Sequence, residues 1–465
     1  MLILAVGAAA FYWFSTPQLV AFAPTDGALD VPASAPLRLD FSRLMEAGSV
    51  AQRLQIEPRV EGSFAWQEGS LIFTPDEPWP AGAAVRVMLQ RGARAARWPS
   101  LPVRQDISWT FTVGQPQLVY LYPASGPANI YSFDLATGSK RQLTQAAAGA
   151  LEFDVSVDGN TLYYSVRNGQ GGSDIYLLKV EAGKAVGEAE PVLECGAVEC
   201  RAPTISPRQD RLAFERIDPV GSQEPGYPRV WYLTLPARGD ATGTLAPNSL
   251  AAASLADEAQ HQTILPDWSP DGLLTYYDTT DQVFTFLDLD SGTRTAFPNQ
   301  TGEPGSWHPS GAAFVAPEIF FETASNPTSL PGLTQIASSR LLRFSLQDES
   351  TQDLTRQPGV EDTSPAFSPD GLFIAFARKY LDVTHWTPGR QLWLMRADGS
   401  QARQLTEDPN YNFYDFAWDP SGSQLAYVRF DQTVMVEAPE IWLIGLTTGK
   451  ATRLVIGGYA PQWIG

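Results

Sequence analysis

PAFSPDGLFIAFAR, Pro365–Arg378, holds a short apolar run, a Ser-Pro-Asp-Gly tetrapeptide and an alternating run that ends in arginine. Proline presets φ, aspartate can bond nearby backbone amides, and glycine accepts positive φ. The tetrapeptide therefore reads as a tight turn between two strands. The stretch recurs as FDVSVDG (Phe153–Gly159), PTISPRQ (Pro203–Gln209), PDWSPDG (Pro266–Gly272), GSWHPSG (Gly305–Gly311) and FAWDPSG (Phe416–Gly422). PQWIG, Pro461–Gly465, repeats only its first half. Equivalent turns lie 39 to 63 residues apart, so inserts of varying length separate constant parts. An aspartate reused in this way is architectural. Catalysis needs it once.

Each turn leads into an apolar alternating run: TLYYS, RLAFE, LLTYY, AAFVA, FIAFA, QLAYV. A third run with an early aromatic follows: DIYLLKV, RVWYLTL, FTFLDL, LLRFSL, QLWLMRA, EIWLIGL. A short fourth run, clearest as RQLT and DLT, completes a unit of four strands. One such unit cannot cover both faces of its own sheet, but copies stacked around an axis can, which predicts a β-propeller. The two ends complement each other. Gln117–Tyr122, NIYSFDLATG and RQLT supply strands two to four of a blade, and PQWIG supplies a first strand. Joining them closes the ring without a free edge and predicts seven blades, with six or eight as the alternative counts.

These turn-and-strand units resemble the TolB-like propeller repeats of bacterial periplasmic proteins. The resemblance spans about three quarters of the chain and implies the fold. It does not imply one function, because such propellers include binders, scaffolds and enzymes. TolB-like propellers usually have six blades, so a count of seven departs from them.

Residues 17–115 are a different module. LQIEP, GSFAWQ, SLIFTP, AAVRVML and SWTFTV are short alternating runs set apart by Gly, Pro and Asp, as in an antiparallel β-sandwich of about 100 residues. Pro24-Thr25-Asp26-Gly27, Asp30-Val31-Pro32, Phe41-Ser42 with Met45, Phe73-Thr74-Pro75 and Trp109–Val113 resemble the bacterial Ig-like domain of S-layer-type surface proteins. The resemblance implies a spacer or adhesion module. The organisation expected is thus a segment 1–16, an Ig-like domain 17–115 and a propeller 116–465.

The formal charge is −19, and nearly all of it falls after Gln115, where 23 basic residues face 41 acidic ones. No basic patch or tail marks a nucleic-acid binder. The first fourteen residues, MLILAVGAAAFYWF, are uncharged and end in interface-type aromatics. They predict an export segment retained as a membrane anchor, although Ala8 and Ala10 also allow cleavage. Cys195 and Cys200, in ECGAVEC, are spaced to close a small disulfide loop outside the cytoplasm, with two free thiols the alternative.

No Gly-x-Ser-x-Gly elbow occurs, and no α/β segment follows the repeats, so a complete propeller peptidase of the prolyl-oligopeptidase kind is not expected. Of the three histidines, His308 occupies the serine place of a turn, and His261 and His385 fall in loops. No cofactor or metal motif is present. Four connections between second and third strands are long: Arg216–Arg229, Pro317–Arg340, Arg378–Arg390 and Arg429–Glu440. In a propeller they emerge on one face. They carry Tyr227, Phe320, Phe321, Tyr380 and Trp386, aromatics of the kind that anchor interfaces. Arg216, Arg378 and Arg429 share one exit position, with Asp278 in their place in another blade. Three guanidiniums there either converge on an anion at the channel mouth or pair with nearby acids. The function these features predict is a non-catalytic scaffold of the cell envelope that binds a protein partner through the long-loop face. A hydrolase or glycan lyase with its site in the channel is the alternative.

Overall fold

The structure is a computed structural model and describes residues 16–464 except 29–30, 32–34, 68–69, 77–78, 99, 221–223, 236–247, 258–259, 324–334 and 435. The chain divides into two compact units, with the boundary between Pro116 and Gln117. The expected N-terminal anchor and the tip of the Pro317–Arg340 hairpin lie outside the described residues. Among the described residues, no helix is long and apolar enough to cross a membrane.

The first unit is a sandwich of two antiparallel sheets. One sheet runs Leu19–Ala23, Leu37–Phe41, Ser70–Pro75, Gly62–Gln67; the other runs Leu54–Glu57, Ala84–Leu89, Ile107–Thr112. Alternation builds the core: Leu37, Leu39, Val85, Val87, Leu89, Trp109 and Phe111 all point inward and are buried. Trp79 closes one end, and its indole N–H donates to the carbonyl of Ala35 at 2.8 Å.

The second unit is a seven-bladed propeller. Its blades are four-stranded antiparallel sheets. The first strands of blades 2 to 7 are Ala150–Val155, Glu199–Ile205, Thr263–Trp268, Ser306–Trp307, Val360–Phe367 and Tyr411–Trp418. Blade 1 takes its first strand, Tyr459–Ile464, from the end of the chain and the other three from Gln117–Tyr122, Asn129–Phe133 and Lys140–Gln142. Tyr459–Ile464 pairs antiparallel with Gln117–Leu121, which closes the ring. Apolar side chains fill the spaces between blades: Leu118 and Tyr120 of blade 1 pack with Val428, Ile441 and Val455 of blade 7. Indoles fasten neighbours. Trp268, Trp418 and Trp463 each donate to a first-strand carbonyl of the preceding blade, Thr204, Ala366 and Ala417, at 3.0–3.1 Å.

Candidate functional site

The repeated turn is structural in every detail. Gly371 takes φ +70°, its N–H donates to the Ser368 carbonyl, and Ser368 Oγ receives the Phe373 N–H at 2.9 Å. Ser368 Oγ donates to Asp370, and Asp370 accepts the Leu372 N–H at 2.9 Å. Blade 7 keeps the bond with its partners exchanged: Asp419 stands in the serine place, and the Ser421 hydroxyl donates to it.

The three exit arginines are paired with acids, the second of the two alternatives the sequence leaves open. Each is committed within its own blade. Arg378 is almost fully buried, and its Nε and Nη2 donate to both oxygens of Asp362 at 2.6 and 2.7 Å. Arg429 donates to Glu440 at 3.1 Å and to Asp408 at 2.7 Å, and Arg216 donates to Asp218 at 2.6 Å. Each guanidinium also lies 4.0–4.9 Å from the ring centre of a third-strand tryptophan: Trp231, Trp393 or Trp442. Trp occupies this third-strand position in blades 3, 6 and 7, the blades that carry the arginine. That coincidence was legible in the sequence as an internal Arg–Trp pair.

The hairpin aromatics divide. Tyr227, Phe321 and Trp386 are exposed. Phe320 is half-buried under the Arg340 guanidinium, and Tyr380 is half-buried edge-on to Trp393. Cys195 and Cys200 form the disulfide between blades 2 and 3. His308 Nδ1 is hydrogen-bonded to Ser310, and the His385 ring to Asp382. His261 Nδ1 lies 2.6 Å from Asp278 Oδ2, a contact that raises the histidine's pKa. With Asp257 these two form the one group of potential metal ligands that come within 4.8 Å of one another among the described residues. Their oxygens are already engaged. Asp257 accepts from Tyr276 Oη and Arg294 Nη1, both at 2.7 Å, and Asp278 accepts from the Thr280 N–H at 2.8 Å. The cluster is an ion-pair network that joins the end of blade 3 to blade 4.

The groups without such partners lie on the first strands, which ring the axis. Six of the seven first strands break register within their length. In five of them a residue other than glycine is left-handed there: Ala202, Leu265, Ser364, Asp415 and Ala460, with φ from 47° to 56°. Each such residue costs about 1–2 kcal/mol, and the bulge turns backbone groups out of the ladder. Acids of the preceding blade catch them. The Ala202 N–H donates to Glu152, the Leu265 N–H donates to Glu215 at 3.0 Å, and the Ala460 N–H donates to Asp415. Asp154 likewise accepts the Ile205 N–H at 2.9 Å and the Thr204 hydroxyl at 3.1 Å.

Asp267 departs from this pattern. Among the described residues it accepts only the N–H of the adjacent Trp268, at 2.8 Å. Its side chain is exposed to solvent on the first strand of blade 4. Partial desolvation by the neighbouring protein pushes its pKa up, to about 7, with the negative charge of Asp154 adding to the effect. Partial desolvation likewise pushes half-buried Asp154 and solvent-exposed Asp415 up to about 6. No Lys or Arg among the described residues pairs with any of the three. Sequence reading missed them because acids abound in this chain. The available signal was register: Asp154 and Asp267 stand two residues before the turn, where other blades place Thr204, Ser306, Ala366 and Ala417. Carboxyls with raised pKa and no paired cation can accept a positive charge from solution.

Residues 15–113 match the bacterial Ig-like domain family. No curated protein sequence matches the chain. Among solved structures, the putative TolB from Agrobacterium tumefaciens is 17% identical, covering 74% of this chain and 91% of its own, with a TM-score of 0.37. Puromycin hydrolase is 14% identical, covering 74% of this chain and 52% of its own, with a TM-score of 0.50. A Mycobacterium tuberculosis puromycin-hydrolyzing peptidase is 12% identical, covering 93% and 57%, also with a TM-score of 0.50. The chain spans little more than half the length of these two proteins, and the likeness shows a shared fold. It also corrects the expectation of a non-catalytic scaffold. The same fold serves hydrolytic proteins, so the repeats do not set this chain apart from enzymes.

Proposed function

We propose that the propeller is a receptor module for an amine-bearing cation, held at the axis by the carboxyls of Asp154, Asp267 and Asp415. The observation that carries this reading is Asp267, a solvent-exposed carboxyl on a first strand, without a cationic or cross-blade partner among the described residues and with its pKa raised. Amines suit the site better than a metal ion. The carboxyls come from blades 2, 4 and 7 and are not among the groups whose ligand atoms cluster within 4.8 Å. An ammonium group, or a chain of them, bridges separated charges through hydrogen bonds to water and carboxylate, whereas a metal ion needs several oxygens at one point. The Ig-like module and the disulfide support a place outside the cytoplasm, in the cell envelope. The uncharged N-terminal stretch supports tethering of the chain there.

Calorimetric titration with spermidine tests the reading. The carboxyls are protonated at pH 5 and ionised at pH 8, while the amine keeps its charge. Affinity should therefore rise about tenfold or more between the two, with proton release near pH 6.5. Asp267→Asn should remove most of that rise. Affinity that ignores pH, or a variant that binds as the parent does, would rule the reading out.

A further inference from the structure

A second site lies where the ring closes. A cleft of about 310 Å³ runs between blade 7 and blade 1. Its walls are Tyr120, Tyr122, Tyr131 and Ile456, with Lys140 and Arg453 at its polar end. The tyrosines form one aromatic surface: Tyr131 lies 6.0 Å from Tyr120 in a stacked pair and meets Tyr122 edge-on at 5.3 Å. Tyr131 Oη donates to Gln142 at 3.0 Å. Tyr120 as a residue is only 1% exposed, and its hydroxyl makes no hydrogen bond to a described residue. Tyr120 lines the cleft, and its hydroxyl is left available to a ligand there.

The charge of the cleft also runs against the chain. The protein carries 51 acidic residues against 32 basic ones, but no acid lines this cleft and two cations do. Lys140 enters no ion pair among the described residues, and Arg453 donates to Glu440 at 2.7 Å. A bulge presents Arg453. Register shifts between Ile441 and Trp442, which leaves Leu454 as the extra residue of the edge strand. Bulges at edges commonly re-aim a side chain in this way.

We infer that this cleft binds a small carboxylate carried on a single six-membered ring. The tyrosine faces pack against the ring, the Tyr120 hydroxyl meets a ring hydroxyl, and Lys140 with Arg453 holds the carboxylate. The volume suits one ring. A sugar acid and a hydroxylated aromatic acid share this chemistry. The site is separate from the acidic axis, so its test is independent of the amine reading.

The test is titration of the whole chain, followed by calorimetry, with glucuronate, 4-hydroxybenzoate and uncharged glucose. One of the two acids should saturate the protein, and glucose should bind about tenfold more weakly or not at all. Whichever acid binds more tightly identifies the source. Lys140→Ala should weaken that binding about fivefold or more, and Tyr120→Phe about threefold, with the melting temperature unchanged for Lys140→Ala. Spermidine binding should be unaffected by either change. The inference is overturned if neither acid gives saturable binding, if glucose binds as well as the acids, or if both variants bind as the parent does.

Discussion

Arg378 ends the strand that begins at Phe373, and the surroundings of its side chain decide what it does. A guanidinium almost free of water, forked onto Asp362 and stacked against Phe376 and Trp393, is a fastener of blade 6. Losing one partner would leave the other charged and dry. Asp362→Ala should therefore destabilise the propeller by about 3–5 kcal/mol, whereas Asp362→Leu with Arg378→Met should come close to neutral. Urea denaturation measures both. A single variant within about 1 kcal/mol of the parent would mean that water reaches the pair. The arginine was legible in the sequence. Its partner was not, because Asp362 becomes its neighbour only through the antiparallel register that sets Asp362 opposite Arg378.

Turns and strands were the most legible elements, since Ser-Pro-Asp-Gly and period-two alternation act within a few residues. The bulges of the first strands were not legible. Nothing local distinguishes Ala202 or Leu265 as left-handed, and each is supported by an acid one blade away. The Cys195–Cys200 bond belongs to the same scale. It closes a short loop where blade 2 hands over to blade 3, and both sulfurs are buried in that core. On chain entropy alone, so small a loop contributes about 2 kcal/mol. Replacing both cysteines with serine should lower unfolding free energy by about that amount, read from denaturation midpoints at constant m-value. A loss near zero would show that packing, not the bond, holds the hand-over.

The ring as a whole depends on its final strand. Tyr459–Ile464 completes blade 1, and its Trp463 donates to blade 7 while Gln462 donates to the Phe153 carbonyl of blade 2. Deleting residues 459–465 would bare the Gln117–Tyr122 edge and separate the ends of the ring. Melting temperature should fall by about 10 °C or more and the protein should self-associate, as light scattering alongside calorimetry would show. An unchanged melting temperature would mean that the other blades hold the ring without the closure.

By itself the sequence determined the repeat, the blade number, the closure by its two ends and the separate Ig-like module. All of these follow from patterns that act over a few residues and recur. Only the tertiary structure decided which charges are free. The arginines that looked available are paired with acids, and the acids that looked like solvated background include Asp267, unpaired and with its pKa raised. The physical reason is that pairing and desolvation depend on neighbours brought together across blades. Asp154 meets Ile205 from 51 positions away, and Tyr120 shares its cleft with Arg453 from near the opposite end of the repeat. Local pattern builds each blade, and the contacts between blades choose the chemistry.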